Sequence, residues 1–134
     1  MSELASIRHS QFIAAPPRRV WDALTDPELH ARWWAAGDVR PVVGHEFNLD
    51  MGGWGQQRCE VLAVEPERLF AYSFAPDTLN SVITWRLEPE GEGTRLSFEH
   101  SGFDLDTPMG KRAFEGMGEG WPNVIARIEP ALAG

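Results

Sequence analysis

Residues 109–132 read MGKRAFEGMGEGWPNVIARIEPAL, and the fold turns on this stretch because it alone is long enough to cover a whole sheet. Its apolar residues Phe114, Met117, Trp121, Val124, Ile125, Ile128 and Leu132 recur at steps of three and four, the stripe of an amphipathic helix. Lys111, Arg112, Glu115, Glu119, Arg127 and Glu129 fall largely off that stripe. Gly110, Gly116, Gly118, Gly120 and Pro122 argue the other way, costing a helix roughly 7 kcal/mol at about 1 per glycine and about 3 for proline. Burial of the stripe returns about 10–20 kcal/mol. Burial wins, so the segment reads as a helix bent near Gly120-Trp121-Pro122 and closed by Pro130, with Leu132 just beyond its end. Such a helix, poor in side chains over half its length, cannot sit flush on a sheet everywhere.

Working outward, the preceding chain alternates. Ile7 to Ile13 reads as a first strand, with Ile7, His9, Gln11 and Ile13 on one face. Pro17 suits the first turn of a short helix carrying Val20, Trp21 and Leu24. Asp26-Pro27-Glu28 then caps and restarts a second short helix that runs to about Trp34. His45 to Met51 alternates with Phe47, Leu49 and Met51 inward. Gly52-Gly53-Trp54-Gly55 makes a hairpin loop, and Trp54 at its tip is either a lid over a pocket or a ring folded back on the sheet. Gln57 to Glu65, Arg68 to Ala75, Ser81 to Glu88 and Thr94 to Ser101 supply four further strands, separated by turns at Pro66, Pro76-Asp77 and Pro89 to Gly93. Phe70, Tyr72 and Phe74, then Ile83, Trp85 and Leu87, then Leu96, Phe98 and His100, each share a face.

The expected class is therefore α+β over residues 1–134 as one domain. A curved antiparallel six-stranded sheet wraps around a long C-terminal helix, with two short helices after strand one: the helix-grip fold. At 134 residues the chain buries about two thirds of its unfolded surface without metal or disulfide help.

Charge narrows the partners. The net charge is −8, and the deficit lies in residues 41–134, since residues 1–40 balance. An acidic surface repels phosphate backbones and anionic headgroups, so neither nucleic acid nor a membrane is an expected partner. Cys59 is the only cysteine, which leaves no disulfide framework and no thiolate metal pair. The N-terminus shows no signal peptide and no apolar span, so a cytoplasmic location is expected. The glycine loop at residues 52–55 has neither phosphate-binding spacing.

Several of these stretches together resemble a known family. Residues 7–34, with Ala15-Pro16-Pro17, Val20-Trp21, Ala23-Leu24-Thr25-Asp26-Pro27-Glu28 and Trp33-Trp34, resemble the opening of the AHSA-like proteins, homologues of the activator of the heat-shock-protein-ninety ATPase. The likeness continues through Val61-Leu62, Val64-Glu65-Pro66, Arg68-Leu69, Trp85, Leu87-Glu88-Pro89, Gly93-Thr94-Arg95-Leu96, His100-Ser101-Gly102-Phe103 and Gly120-Trp121. Pro122 departs from the pattern. Membership of this START-like, birch-pollen-allergen-like (SRPBCC) group implies a deep cavity between sheet and last helix for hydrophobic small molecules. Relatives include lipid carriers, cyclases, aromatases, hormone receptors and stress-response proteins.

The expected function is binding of a small hydrophobic or aromatic molecule in that cavity. Phe47, Leu49, Phe70, Tyr72, Trp85, Phe98, Phe114, Met117 and Trp121 would form the walls, and His9, Gln11 and His100 the polar anchors. No metal or other cofactor is expected, because His9, His30, His45 and His100 show no ligand spacing. No nucleophile elbow is present, and Ser101 alternates away from His100. A cyclase- or dehydratase-like enzyme using His100 or His9 as acid–base, helped by Tyr72 or Glu60, remains a rival, so no catalytic residue is assigned. Activation of a heat-shock ATPase is a third reading, for which the diffuse acidic surface offers no complementary patch. An edge strand could pair with a second copy to give a homodimer.

Overall fold

The computed structural model describes residues 4–52, 55–75 and 79–133. Trp54 and the Pro76-Asp77 turn lie outside them. Six strands form one antiparallel sheet: β1 Leu4–Ile13, β2 Glu46–Asp50, β3 Gln56–Glu65, β4 Leu69–Phe74, β5 Ser81–Glu90 and β6 Gly93–Asp104. Their order is β1-β6-β5-β4-β3-β2. Two short helices, α1 Pro17–Thr25 and α2 Pro27–Trp33, follow β1. After β6 come α3 Pro108–Ile125 and α4 Ile128–Ala133. The class, the six strands and the long C-terminal helix are those expected.

Alternation builds the sheet's inner face. Phe47 and Leu49, Phe70, Tyr72 and Phe74, Ile83, Trp85 and Leu87, and Leu96, Phe98 and His100 are all buried. Two irregularities adjust the pattern. In β3 an extra residue between Val61 and Ala63 leaves Leu62 outside at 47% exposure and returns Val64 to face inward opposite Phe70. In β6 the pairing skips Gly102, since Ser6 meets Ser101 and Ala5 meets Phe103. Gly102 has φ +94°, and a Cβ there would stand 3.2 Å from the Asn80 carbonyl oxygen. That bulge lets His100 and Phe103 both face inward, with ring centroids 4.4 Å apart.

The short helices obey their local chemistry. The Asp26 carboxylate accepts from the Glu28 N–H at 2.9 Å, with Pro27 in the first turn of α2. Trp33 ties α2 back to α1 by donating to the Ala23 carbonyl at 2.8 Å.

The C-terminal stretch differs from expectation in where it breaks. α3 runs through Pro122, and the interruption comes at Ala126-Arg127. Pro130 lacks the N–H that the Ala126 carbonyl would need, and its ring would press on that carbonyl. The chain therefore breaks before Pro130 and restarts as α4, whose first turn accommodates a proline at no cost. Pro130 sits in the opening turn of a helix rather than closing one. Burial along the stripe is uneven. Trp121, Ile125, Ile128 and Leu132 are buried, whereas Phe114, Met117 and Val124 are only half-buried and pack against the core. α4 is held by the Arg19 guanidinium, which donates to the Leu132 carbonyl at 2.6 Å, and by Glu129, which accepts from the Ala14 N–H.

Candidate functional site

The inner face gathers its rings into two linked groups. Under α3, Trp121 lies 4.5 Å from Phe98, 4.8 Å from Trp34 and 5.9 Å from His100. Trp85 packs tilted against Phe98 at 4.7 Å and meets Trp33 edge-on at 5.6 Å. Toward the other edge, Phe47 and Phe70 each contact Tyr72, and Trp21 from α1 closes on Phe70. The two groups join where the Trp85 indole N–H donates to the Tyr72 hydroxyl at 3.1 Å. Burial holds that hydroxyl above the usual phenol range.

The wall residues expected from the sequence thus all lie inward. Trp85, Phe98, His100 and Trp121 are brought together, as are Phe47, Phe70 and Tyr72. Leu49 is fully buried, and Phe114 reaches the cluster through Phe103 at 5.7 Å. Met117 packs half-buried against the core. His9 and Gln11 sit apart on the edge strand β1, half-buried, with His9 Nε2 and Gln11 Oε1 3.3 Å apart.

His100 is fully committed. Trp121 Nε1–H can only donate, so His100 Nδ1, 3.1 Å away, accepts and carries no proton. Nε2 of the neutral ring is then the protonated nitrogen and donates to Ser81 Oγ at 2.8 Å; Ser81 in turn donates to the Phe74 carbonyl at 3.0 Å. The relay runs from α3 through β6 to β5 and β4, and burial pulls the His100 pKa down to about 3. A neutral ring with both nitrogens occupied has no lone pair to offer as a base. Cys59 is likewise inert, its thiol pushed up to about 12 by burial. Glu60 is exposed.

Sequence reading did not single out Trp33, Trp34, Phe74, Phe103, Ser81 or His30 as part of this region. Strand alternation from Tyr72 points to Phe74, and Gly102 beside Phe103 signals the bulge; nothing local marks Ser81 or His30. Two open hollows, of about 410 and 630 Å³, lie on the sheet, and His9 and Phe98 are among the residues lining the first. The first crosses β1, β6 and β5 at Arg8, Ser97 and Arg86; the second lies beside the β3–β4 turn. Neither is lined by α3, and beneath Trp121 the rings of Phe98, Trp34 and His100 lie within 6 Å of it. Among the described residues no group of three or more His, Cys, Asp or Glu side chains could hold a metal, and no helix is long and apolar enough to cross a membrane.

A six-stranded antiparallel sheet gripping a terminal helix over an aromatic interior defines an SRPBCC-like protein. Residues 14–133 match the family described as activator of Hsp90 ATPase homolog 1-like protein, and the chain belongs to it. The protein MLL2253 from Mesorhizobium loti is 37% identical, with 96% of this chain and 97% of that one covered and a TM-score of 0.84. BH1534 from Bacillus halodurans is 26% identical over 98% and 99%, with a TM-score of 0.85. DynU16, of the dynemicin biosynthetic locus, is 26% identical over 96% of this chain and 47% of its own, with a TM-score of 0.75. No match was found among curated proteins.

Proposed function

We propose that this protein binds a small hydrophobic or aromatic molecule between the sheet and α3, admitted beneath the glycine-rich first half of that helix. One observation carries the reading: α3 is seated unevenly. From Trp121 onward it is anchored by buried side chains. Between Lys111 and Gly120 no residue is buried, and Phe114 and Met117 present half-buried apolar surface over the inner face. A loosely held segment above an aromatic interior can lift at small cost, while its anchored end keeps the fold closed. The interior has the composition of a ligand site, apolar walls with few polar groups. Because the rings lie against one another, binding requires some of them to turn aside. The relationship to a protein of a biosynthetic locus agrees with a small-molecule role.

The cyclase- or dehydratase-like alternative loses its first candidate base in His100. Its remaining one, His9, is paired with Gln11 on the edge strand.

The test is a library of neutral aromatic and aliphatic compounds read by tryptophan fluorescence and by melting temperature. A ligand at a hundred times its Kd is expected to raise Tm by about 10 °C, since it stabilises by about 2.7 kcal/mol. Absence of any fluorescence change or Tm rise across the library removes the proposal. Native mass spectrometry of the same preparation reads co-purified molecules and whether two copies associate. The family's other association, with a heat-shock ATPase, would show instead as stimulated ATP hydrolysis.

A further inference from the structure

His30 lies on α2, 1% exposed, with its ring against Trp33 at 5.1 Å and Trp34 at 5.2 Å. Its Nδ1 stands 2.7 Å from the Ala35 carbonyl, which can only accept, so Nδ1 carries the proton. That bond secures the turn after α2 and is explained by the fold. Nε2 is not. It is left as a bare lone pair, and among the described residues it is the one buried side-chain nitrogen or oxygen without a hydrogen-bond partner. A buried unmet acceptor is costly, and phenylalanine would fill the same space without the penalty. Burial draws the ring's pKa down to about 4, so it stays an acceptor at neutral pH.

The ring that covers His30 is less deeply buried than its neighbours Trp33, Trp121 and Phe74. Trp34 is half-buried and stands between His30 and the main cluster, 4.8 Å from Trp121 and 6.0 Å from Phe74. Its backbone N–H bonds the His30 carbonyl. The unmet acceptor of His30 therefore lies against the rings of Trp33 and Trp34, surrounded by aromatic surface. What answers that acceptor is a donor carried on an apolar ring, and a neutral hydroxyl supplies one without burying a charge. Carboxylates and phosphates bring only acceptors toward Nε2 and are disfavoured.

We infer that the site takes a hydroxylated aromatic molecule, a phenol or naphthol, whose O–H donates to His30 Nε2 while Trp34 swings aside to admit the ring. This rests on the proposal that the interior binds small aromatic molecules and names their class.

The test uses 2-naphthol and 2-methoxynaphthalene, nearly the same in shape, of which only the first has a donor. Calorimetric titration of the wild-type protein is expected to show 2-naphthol binding about five- to tenfold more tightly, the worth of one hydrogen bond to an otherwise unmet acceptor. His30→Phe is expected to abolish that preference and leave the ether's affinity little changed. The substitution also removes the Ala35 bond, so a second measurement on wild-type protein stands beside it. With ¹⁵N-labelled histidine, the Nε2 resonance of His30 is expected to move on adding 2-naphthol and not on adding the ether. Equal affinities with an unmoved resonance overturn the hydroxyl assignment and leave aromatic binding intact. If neither compound binds, both the assignment and the binding proposal fall.

Discussion

The side chain of His100 shows how one residue can look catalytic and be structural. Its imidazole joins three strands and a helix through Trp121, Ser81 and Phe74, and every polar atom in the relay has a partner. Replacing His100 by alanine leaves the buried indole N–H of Trp121 without an acceptor, strips Ser81 of a donor and opens a void. The expected loss is about 3–5 kcal/mol in urea denaturation, since truncation and an orphaned donor add. A loss below about 1 kcal/mol would mean that the relay contributes little to the fold. That His100 faces inward could be read from the alternation Leu96, Phe98, His100. Its bonding could not, because the partners lie 19 and 21 residues away in sequence.

Among the elements, α3 carries its own internal control. A Cβ added at Gly116 or Gly120 would meet no atom within 4 Å, whereas one at Gly110 would strike the Asp104 carbonyl oxygen. Gly116→Ala and Gly120→Ala should each stabilise the protein by about 0.5–1 kcal/mol, because alanine lowers the entropy lost by the unfolded chain and favours the helix. Gly110→Ala should destabilise it by about 2 kcal/mol or more, since a backbone atom must shift. Thermal or urea denaturation of the three variants checks the signs. Like effects at all three would show that α3 is seated on the sheet evenly. The same glycines looked alike in sequence, where each counted only as a cost to helix formation. Their difference comes from what stands opposite: the end of β6 at Gly110, open space at the other two.

At the level of the whole molecule, two buried histidines couple folding to pH. His30 and His100 have folded pKa values of about 4 and about 3, both below the ordinary 6.5. The unfolded chain therefore takes up protons that the folded one refuses, and stability falls as pH drops below about 6.5. The loss continues until the folded values are reached. By pH 5 it should amount to roughly 2 kcal/mol for each histidine, at about 1.4 kcal/mol per pH unit. Urea denaturation from pH 7 to pH 5 checks this, and His30→Phe should make the slope shallower by about one proton. An unchanged slope would mean that His30 is protonated in the folded state.

Sequence alone determined the architecture. Two-residue alternation along five strands, the Asp26-Pro27 restart and the stripe from Phe114 to Leu132 are local patterns, and backbone geometry turns local patterns directly into strands, turns and helices. Only the tertiary structure decided the site. The break of the last helix before Pro130, the rings gathered beneath Trp121, the closed relay at His100 and the open nitrogen at His30 all depend on contacts between distant segments. Whether a buried polar atom is satisfied is a property of its neighbours in space, and no periodicity in the chain encodes those neighbours.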